Sequence, residues 1–374
     1  MTTEHSCTRV AIIMAGGSGE RFWPLSRQHR PKQLLNLTSD TKNMLQEAVE
    51  RLTPLIAPEH IYVVTGEHLV DAIQTAGVGI AADNVVAEPC KRDTAGCLIF
   101  AAAHILARYG GDGSNVSMAV VTADHEIGEP HLFRSTIDAS LHVAETQEAL
   151  VTHGIVPTRP DTGFGYIEES SEPGEAFEVG GIRMAKAEAF HEKPNEEKAE
   201  DFIATGHYFW NSGMFFWRVD TFVNEMQLAR PEMAEAIRAM AKSIGQQDKG
   251  TTRTLFEKLE GISIDYALME HSQNVIVVRA EYPWDDVGSW PSLDRTRERD
   301  EQGNVGIGNP VILDSENTIV YNDLGEDAMS VSVIGVRDLV VVVSEDGILV
   351  VPKDKAMHVR DAVKELRARG SKHV

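Results

Sequence analysis

The chain has 374 residues, 42% of them apolar and 25% charged, a composition that excludes an intrinsically disordered protein. That length exceeds what one hydrophobic core comfortably serves and predicts one large domain followed by a smaller one. Asp and Glu total 57 against 35 Lys and Arg, a net charge of −22, so the long-range field disfavours nucleic acid and anionic membrane as partners.

Residues 10–14 predict a buried strand, 43–52 a helix, 61–65 the next strand and 67 onward another helix. A short strand is expected from 85–86, an Ala-rich helix over 94–109 and a further strand over 118–122. Strands alternating with helices predict an α/β fold with a doubly wound, mostly parallel, Rossmann-like sheet. Such sheets bind ligands beyond the carboxyl ends of their strands, so the residues after Met14 and Thr122 are the first candidates. After Arg299 short Val/Ile runs are punctuated by Gly, Asn and Asp, which predicts a small β-rich C-terminal domain. We expect a catalytic domain over 1–300, a polar linker over 295–304, and a β-rich domain over 301–374 closed by a helix at 355–369. No internal repeat stands out. Cys7, Cys90 and Cys97 show neither CxxC spacing nor an even count, which argues for a reducing, cytoplasmic setting. No secretion signal is expected, and no apolar run approaches the ~18 residues of a membrane span.

The first strand runs into Ala15-Gly16-Gly17-Ser18-Gly19-Glu20-Arg21. Three glycines in four positions let the backbone come close to a ligand and aim N–H groups at phosphate oxygens. No Lys-Ser/Thr pair follows, and Phe22 stands where a dinucleotide fingerprint needs its third Gly. The glycines alone suit an empty tight turn equally well. The cations Arg21, Arg27, Arg30 and Lys32 close behind them, in so acidic a chain, point to a polyphosphate. Pro31 fixes φ just before Lys32. Asp124 in TADH and Asp286 in WDDVGSW suit a hard divalent cation that takes one or two carboxylates plus phosphate oxygens. A single Asp equally suits a turn, and His125 is a weaker candidate. Glu192 and Lys193 are neighbours on a segment expected to be extended, so their side chains should face opposite ways and need not pair. The segment 210–217, WNSGMFFW, suits a sugar ring or a core, and 162–166, TGFGY, a tight loop.

Taken together, MAGGSGERFWPLS at 14–26, RPKQLL at 30–35, TADH at 122–125, TGFGYIE at 162–168, FHEKP at 190–194, WNSGMF at 210–215 and WDDVGSW at 284–290 resemble the sugar-1-phosphate nucleotidylyltransferases, in their mannose-type branch. The resemblance spans 14–290 in the family's order, and the remainder resembles the β-rich tail of stand-alone members. It implies that Ala15, Gly16, Gly17, Ser18, Gly19 and Arg21 surround the nucleotide phosphates, with Arg92, Asp93 and Thr94 near the base. It assigns Lys32 to the reacting phosphates, Asp124 and Asp286 to Mg²⁺, Gly163, Glu192 and Asn211 to the sugar, and Lys193 to the sugar phosphate. Asp93 and Gly96 stand where the family usually has Asn and Pro, and Phe164 where Tyr is common. The implied reaction moves GMP from GTP to mannose 1-phosphate, releasing pyrophosphate without a covalent enzyme intermediate, in a cytoplasmic homodimer. Alternatives are the same transfer on another hexose 1-phosphate or from another nucleotide, or a non-catalytic GDP-sugar sensor, against which the complete charge set weighs.

Overall fold

The computed structural model describes residues 7–17 and 19–374; Ser18, assigned above to the phosphate loop, lies outside them. Thr8–Met14 is apolar from its third residue on and buried over Val10–Ile13, the signature of a strand covered on both sheet faces. It lies between Ile61–Gly66 and Val116–Thr122, parallel to both, and Val85–Glu88 extends the sheet as a parallel edge strand. The sheet then turns antiparallel at Tyr208–Arg218, which pairs with Val116–Thr122 on one side and Leu150–Ile155 on the other. Val275–Ala280, Ile182–His191 and Tyr166–Glu169 complete that half. The helix Asp93–Tyr109 packs on one face, and Met44–Leu52 with Pro130–Gln147 on the other. The α/β, doubly wound fold stands, but the sheet is mixed rather than mostly parallel, because Tyr208–Arg218 and Ile182–His191 pair antiparallel with their neighbours. Residue 43 caps rather than begins its helix: Asn43 accepts from the Gln46 backbone at 2.9 Å and the Gln46 side chain returns a bond, a reciprocal capping box.

The C-terminal segment is more ordered than a set of short strands suggests. Val305–Ile307, Ile319–Asn322 and Leu339–Val343 stack in parallel, and Val311–Leu313 pairs in parallel with Ser332–Ile334 on a second side. Successive coils of a β-helix repeat in space, but their unequal lengths leave no fixed period in the sequence. Residues 295–304 are not a free linker. Arg295 grips Asp285, while Arg297 reaches the Leu37 and Asn36 carbonyls and Asp40. One apolar cluster joins Phe22, Leu25 and Leu35 to Trp290 and to Ile319, Tyr321, Val340 and Val342 of the coils. Trp290 sits at its centre, edge-on to Phe22 at 5.1 Å and to Tyr321 at 5.6 Å. Among the described residues no helix is long and apolar enough to cross a membrane.

Trp290→Ala should therefore cost about 3–5 kcal/mol in urea unfolding, because it empties the seat shared by both parts of the chain. A loss below about 1 kcal/mol would mean that the coils hold without it.

Candidate active site

Met14 and Thr122 are register partners, so the two loops that follow them leave the sheet side by side. Ala123 N donates to Met14 O at 3.0 Å, and Ala15 N to Val64 O at 2.8 Å. The Ala15 carbonyl accepts from two buried side chains, Gln33 Nε2 and Thr65 Oγ1, both at 2.8 Å. The Gln33 bond draws the RPKQLL segment back beside the glycine loop. Gly19 lies at φ +62°, and a Cβ there would meet Lys32 Cβ at 2.5 Å; only glycine gives both the left-handed turn and the close approach.

Lys32, 6% exposed, donates from Nζ to Asp124 Oδ2 at 2.9 Å and to the Asp286 carbonyl at 2.7 Å. The two carboxyls diverge. Burial, the largest single influence, pushes Asp124 up, but the Lys32 ammonium together with the hydrogen bonds to the carboxylate leaves the group below its ordinary value. Burial raises Asp286, and Asp285 and Asp124 add to the rise while Lys32 opposes it. Among the described residues no side chain or backbone group donates to the Asp286 carboxylate. One carboxylate without a protein partner, beside a second with an oxygen to spare, fits a hard cation that completes its shell with phosphate and water. The adjacent Asp285 does something else: it accepts two bonds from Arg295, at 2.5 and 3.1 Å, and one from Val287 N at 2.8 Å. That anchors the loop presenting Asp286. His125 Nδ1 accepts from the Trp284 indole at 3.1 Å, and burial lowers its pKa to about 4. The ring is neutral with its proton on Nε2, so it offers a donor rather than a lone pair to a ligand.

Three cavities run on from one another along the carboxyl ends of the strands. The first, about 280 Å³, is lined by Gly163, Asn211, Asp265, Thr94 and Asp286. The central one, about 530 Å³, shares His125 and Asp286 with it and adds Gly17, Gly19, Arg21 and Lys32. The third, about 550 Å³, shares Gly17, Glu20 and Lys91 with the centre and reaches Gly16 and Glu88. Arg21 donates to Gly288 O at 3.2 Å, and its buried Nε has no partner among the described residues. Asn211 is oriented by Asp265, which accepts its Nδ2 at 2.7 Å. Gly163 N is engaged by Asp161 Oδ1 at 2.9 Å.

Several expectations need correction. Arg27 and Arg30 do not face the central cavity. They pair with Asp346 at 2.7 Å and Asp323 at 2.9 Å, and so fasten the C-terminal coils. The opposite-facing geometry expected of Glu192 and Lys193 does not hold: Lys193 adopts φ +43°, and the two side chains pair. The Glu192 carboxylate still leans over Gly165, whose added Cβ would lie 2.9 Å from Oε2. The Arg92 guanidinium bonds the Lys91 and Glu257 carbonyls, away from the cavities. Asp93 takes φ +59° at the helix start and accepts from Thr94 N at 2.7 Å. Asp tolerates the left-handed region as Asn does, so the exchange keeps the turn. The aromatics Trp210, Phe215, Phe216 and Trp217 are core. Sequence reading missed Glu88, Lys91, Asp265, Arg360 and Lys364. Only the i, i+4 spacing of Arg360 and Lys364 on a helix was available as a signal, and it says nothing about what that helix faces.

Residues 10–303 match the nucleotidyl transferase family and 308–366 the mannose-phosphate isomerase/GMP-like β-helix domain. A mannose-1-phosphate guanylyltransferase of Escherichia coli is 34% identical over 97% of this chain and 76% of its own. One from Klebsiella pneumoniae is 36% identical over 96% of this chain and 74% of its own. The crystal structure of a mannose-1-phosphate geranyltransferase from Thermus thermophilus superposes with a TM-score of 0.83 at 34% identity, covering 96% of this chain and 99% of the other.

Gly19→Ala should lose roughly 1–2 kcal/mol in urea unfolding from the left-handed backbone alone, and more as Lys32 is displaced. Gly17→Ala, whose Cβ would meet nothing within 4 Å, should stay within about 0.5 kcal/mol of the parent. Equal effects would show that the crowding at Lys32 is unimportant.

Proposed function

The chain belongs to the nucleotidyl transferase family, in its mannose-1-phosphate guanylyltransferase branch, and we propose that it transfers GMP from GTP to mannose 1-phosphate, giving GDP-mannose and pyrophosphate. The observation that carries this reading is the Lys32 ammonium, held between Asp124 and the Asp286 carbonyl where the first and central cavities meet. The first cavity takes the sugar, with Asn211 and Glu192 on its hydroxyls and Lys193 at its phosphate. The central cavity takes the nucleotide phosphates, along the glycine loop and Arg21.

An oxygen of the sugar phosphate attacks the α-phosphorus in line. The new P–O bond forms as the bond to the β-phosphate's bridging oxygen breaks, and pyrophosphate leaves with the electron pair. The nucleophile is already a dianion at neutral pH, so no base is needed. The difficulty is electrostatic: two unit charges 4 Å apart repel by about 4 kcal/mol at an effective dielectric of 20. Lys32, Arg21 and Lys193 offset that repulsion from fixed positions, and positioning supplies most of the rest. A divalent cation, Mg²⁺ by its preference for carboxylate and phosphate oxygens, would be held by Asp124 and Asp286 and would supply charge neutralisation there.

Base choice is read at the far cavity. Guanine presents two adjacent donors, N1–H and the 2-amino group, where adenine presents an acceptor at N1. Glu88 accepts no hydrogen bond among the described residues and lines the cavity beyond Gly16, and a carboxylate there complements guanine. Burial pushes its pKa up to about 7.

The test is pyrophosphate release with Mg²⁺, crossing GTP, ATP, UTP and dTTP with mannose, glucose and galactose 1-phosphates. GTP with mannose 1-phosphate should dominate; a maximum elsewhere would move the specificity, and silence throughout would remove the catalytic reading. Lys32→Ala and Asp286→Asn should each lower turnover by roughly 10²-fold or more. For Glu88 the sign follows from protonation: the carboxyl accepts poorly below pH about 7 and fully above it. The KM for GTP should therefore fall as pH rises through that range. In Glu88→Gln it should be flat and raised by roughly tenfold, with weaker rejection of ATP. A pH profile unchanged by the substitution would take Glu88 out of base recognition.

A further inference from the structure

We propose that the C-terminal helix Val359–Ala368 completes the phosphate site, with Arg360 and Lys364 binding the β- and γ-phosphates that depart as pyrophosphate. The proposal rests on the transfer reading above and extends it to a segment beyond the motifs that carry the family resemblance.

Arg360 and Lys364 stand one turn apart on one face of this helix and line the central cavity together with Arg21 and Lys32. Arg360 has neither a hydrogen bond nor an ion pair among the described residues. Lys364 has only an Asp361 carboxylate at 3.6 Å on its own helix. In the same cavity, Arg21 has a buried Nε with no partner among the described residues. Burial pushes its guanidinium below the ordinary value, and the charge of Arg360 adds to that effect, with Asp286 opposing. Like charges lining one cavity repel, and like charges at i, i+4 do so as well. In a chain of net charge −22 carboxylates are plentiful, yet among the described residues Arg360 has no ion pair and Lys364 only the one on its own helix. An anion bound among these cations relieves the repulsions together.

The helix is not loosely placed. Arg367, on the same face as Lys364, donates to Glu20 Oε1 at 2.9 Å, which ties the helix to the residue just after the glycine loop. Elimination then says which phosphates it meets. The sugar cavity joins the centre at His125 and Asp286, and the base cavity joins it at Gly17, Glu20 and Lys91. The α-phosphate belongs between them, by Lys32. The remaining wall, formed by Arg21, Arg360 and Lys364, is left for the two phosphates that do not stay with the product.

The experiment is calorimetric titration of the full chain with inorganic pyrophosphate, for the parent and for Arg360→Gln/Lys364→Gln. Both side chains are exposed, so thermal unfolding should be unchanged. Pyrophosphate affinity should fall by roughly tenfold or more in the double variant, the scale of lost charge-assisted hydrogen bonds, and Arg360→Lys/Lys364→Arg should restore most of it. In turnover, KM for GTP and for pyrophosphate in the reverse reaction should rise by the same factor, while KM for mannose 1-phosphate and affinity for GDP-mannose stay within about twofold. Equal pyrophosphate binding by parent and double variant, or none by the parent, overturns the proposal. If pyrophosphate binding depends on the pair but no nucleotide and sugar phosphate react, the phosphate site stands and the transfer reading falls instead.

Discussion

A buried ammonium holds this site together. Lys32 Nζ reaches the Asp124 carboxylate and the Asp286 carbonyl, and so joins its own segment to two that lie 92 and 254 residues away along the chain. Removing water from a charge is costly, and the cost is met only where partners are in place. Each partner is itself fixed from behind. The Ala15 carbonyl holds Gln33, which sets where Lys32 leaves the backbone. Arg295 and Val287 N hold Asp285, which sets where Asp286 begins. The ammonium also separates two otherwise similar carboxyls, keeping Asp124 ionised while Asp286 is left poorly compensated. The second, without a protein donor, is the group with most to gain from an incoming cation.

The C-terminal coils belong to the same construction. Arg27 and Arg30, which crowd close behind the glycine loop in sequence, turn away from it and bind Asp346 and Asp323 of the coils. In return the coils' last helix sends Arg360 and Lys364 to the cavity and Arg367 to Glu20. Cations are in effect exchanged between the two parts of the chain. The apolar seat formed by Phe22, Trp290 and Tyr321 keeps the exchange in register, so packing and electrostatics constrain the same loop from opposite sides.

What could be read from the sequence was whatever depends on local chemistry. Apolar runs marked the four parallel strands, and the glycines with the cations behind them pointed to the loop that lines the central cavity. Relations across distance were not legible. Nothing in Tyr208–Arg218 says that it pairs antiparallel with Val116–Thr122, and coils of unequal length leave no period to detect. Asp285 and Asp286 are indistinguishable as letters; only the position of Arg295 makes one an anchor and the other a free carboxylate. Glu192 and Lys193 were misjudged because one left-handed residue reverses the rule for neighbouring side chains on a strand. The cation cluster was likewise read by proximity in sequence, whereas charge acts through space.

On the proposed transfer, the cleft's charge pattern would give the nucleotide a direction. At one end Glu88 presents acceptors, in the centre Lys32, Arg21, Arg360 and Lys364 present positive charge, and at the other end Asp265 and Asn211 line the cavity with Glu192 leaning over its glycine loop. A base with two donors, a chain of phosphates and a ring of hydroxyls carry the complementary pattern in the same order. Reversed, the same ligand would set phosphates against Glu88 and leave cations facing hydroxyls, so each wrong contact would bury a mismatched charge. The repulsive ends discriminate as much as the attractive centre. That requirement explains why so acidic a chain gathers its cations here: the surrounding negative field raises the cost of a misplaced phosphate everywhere except along the strip where Lys32 and its neighbours cancel it.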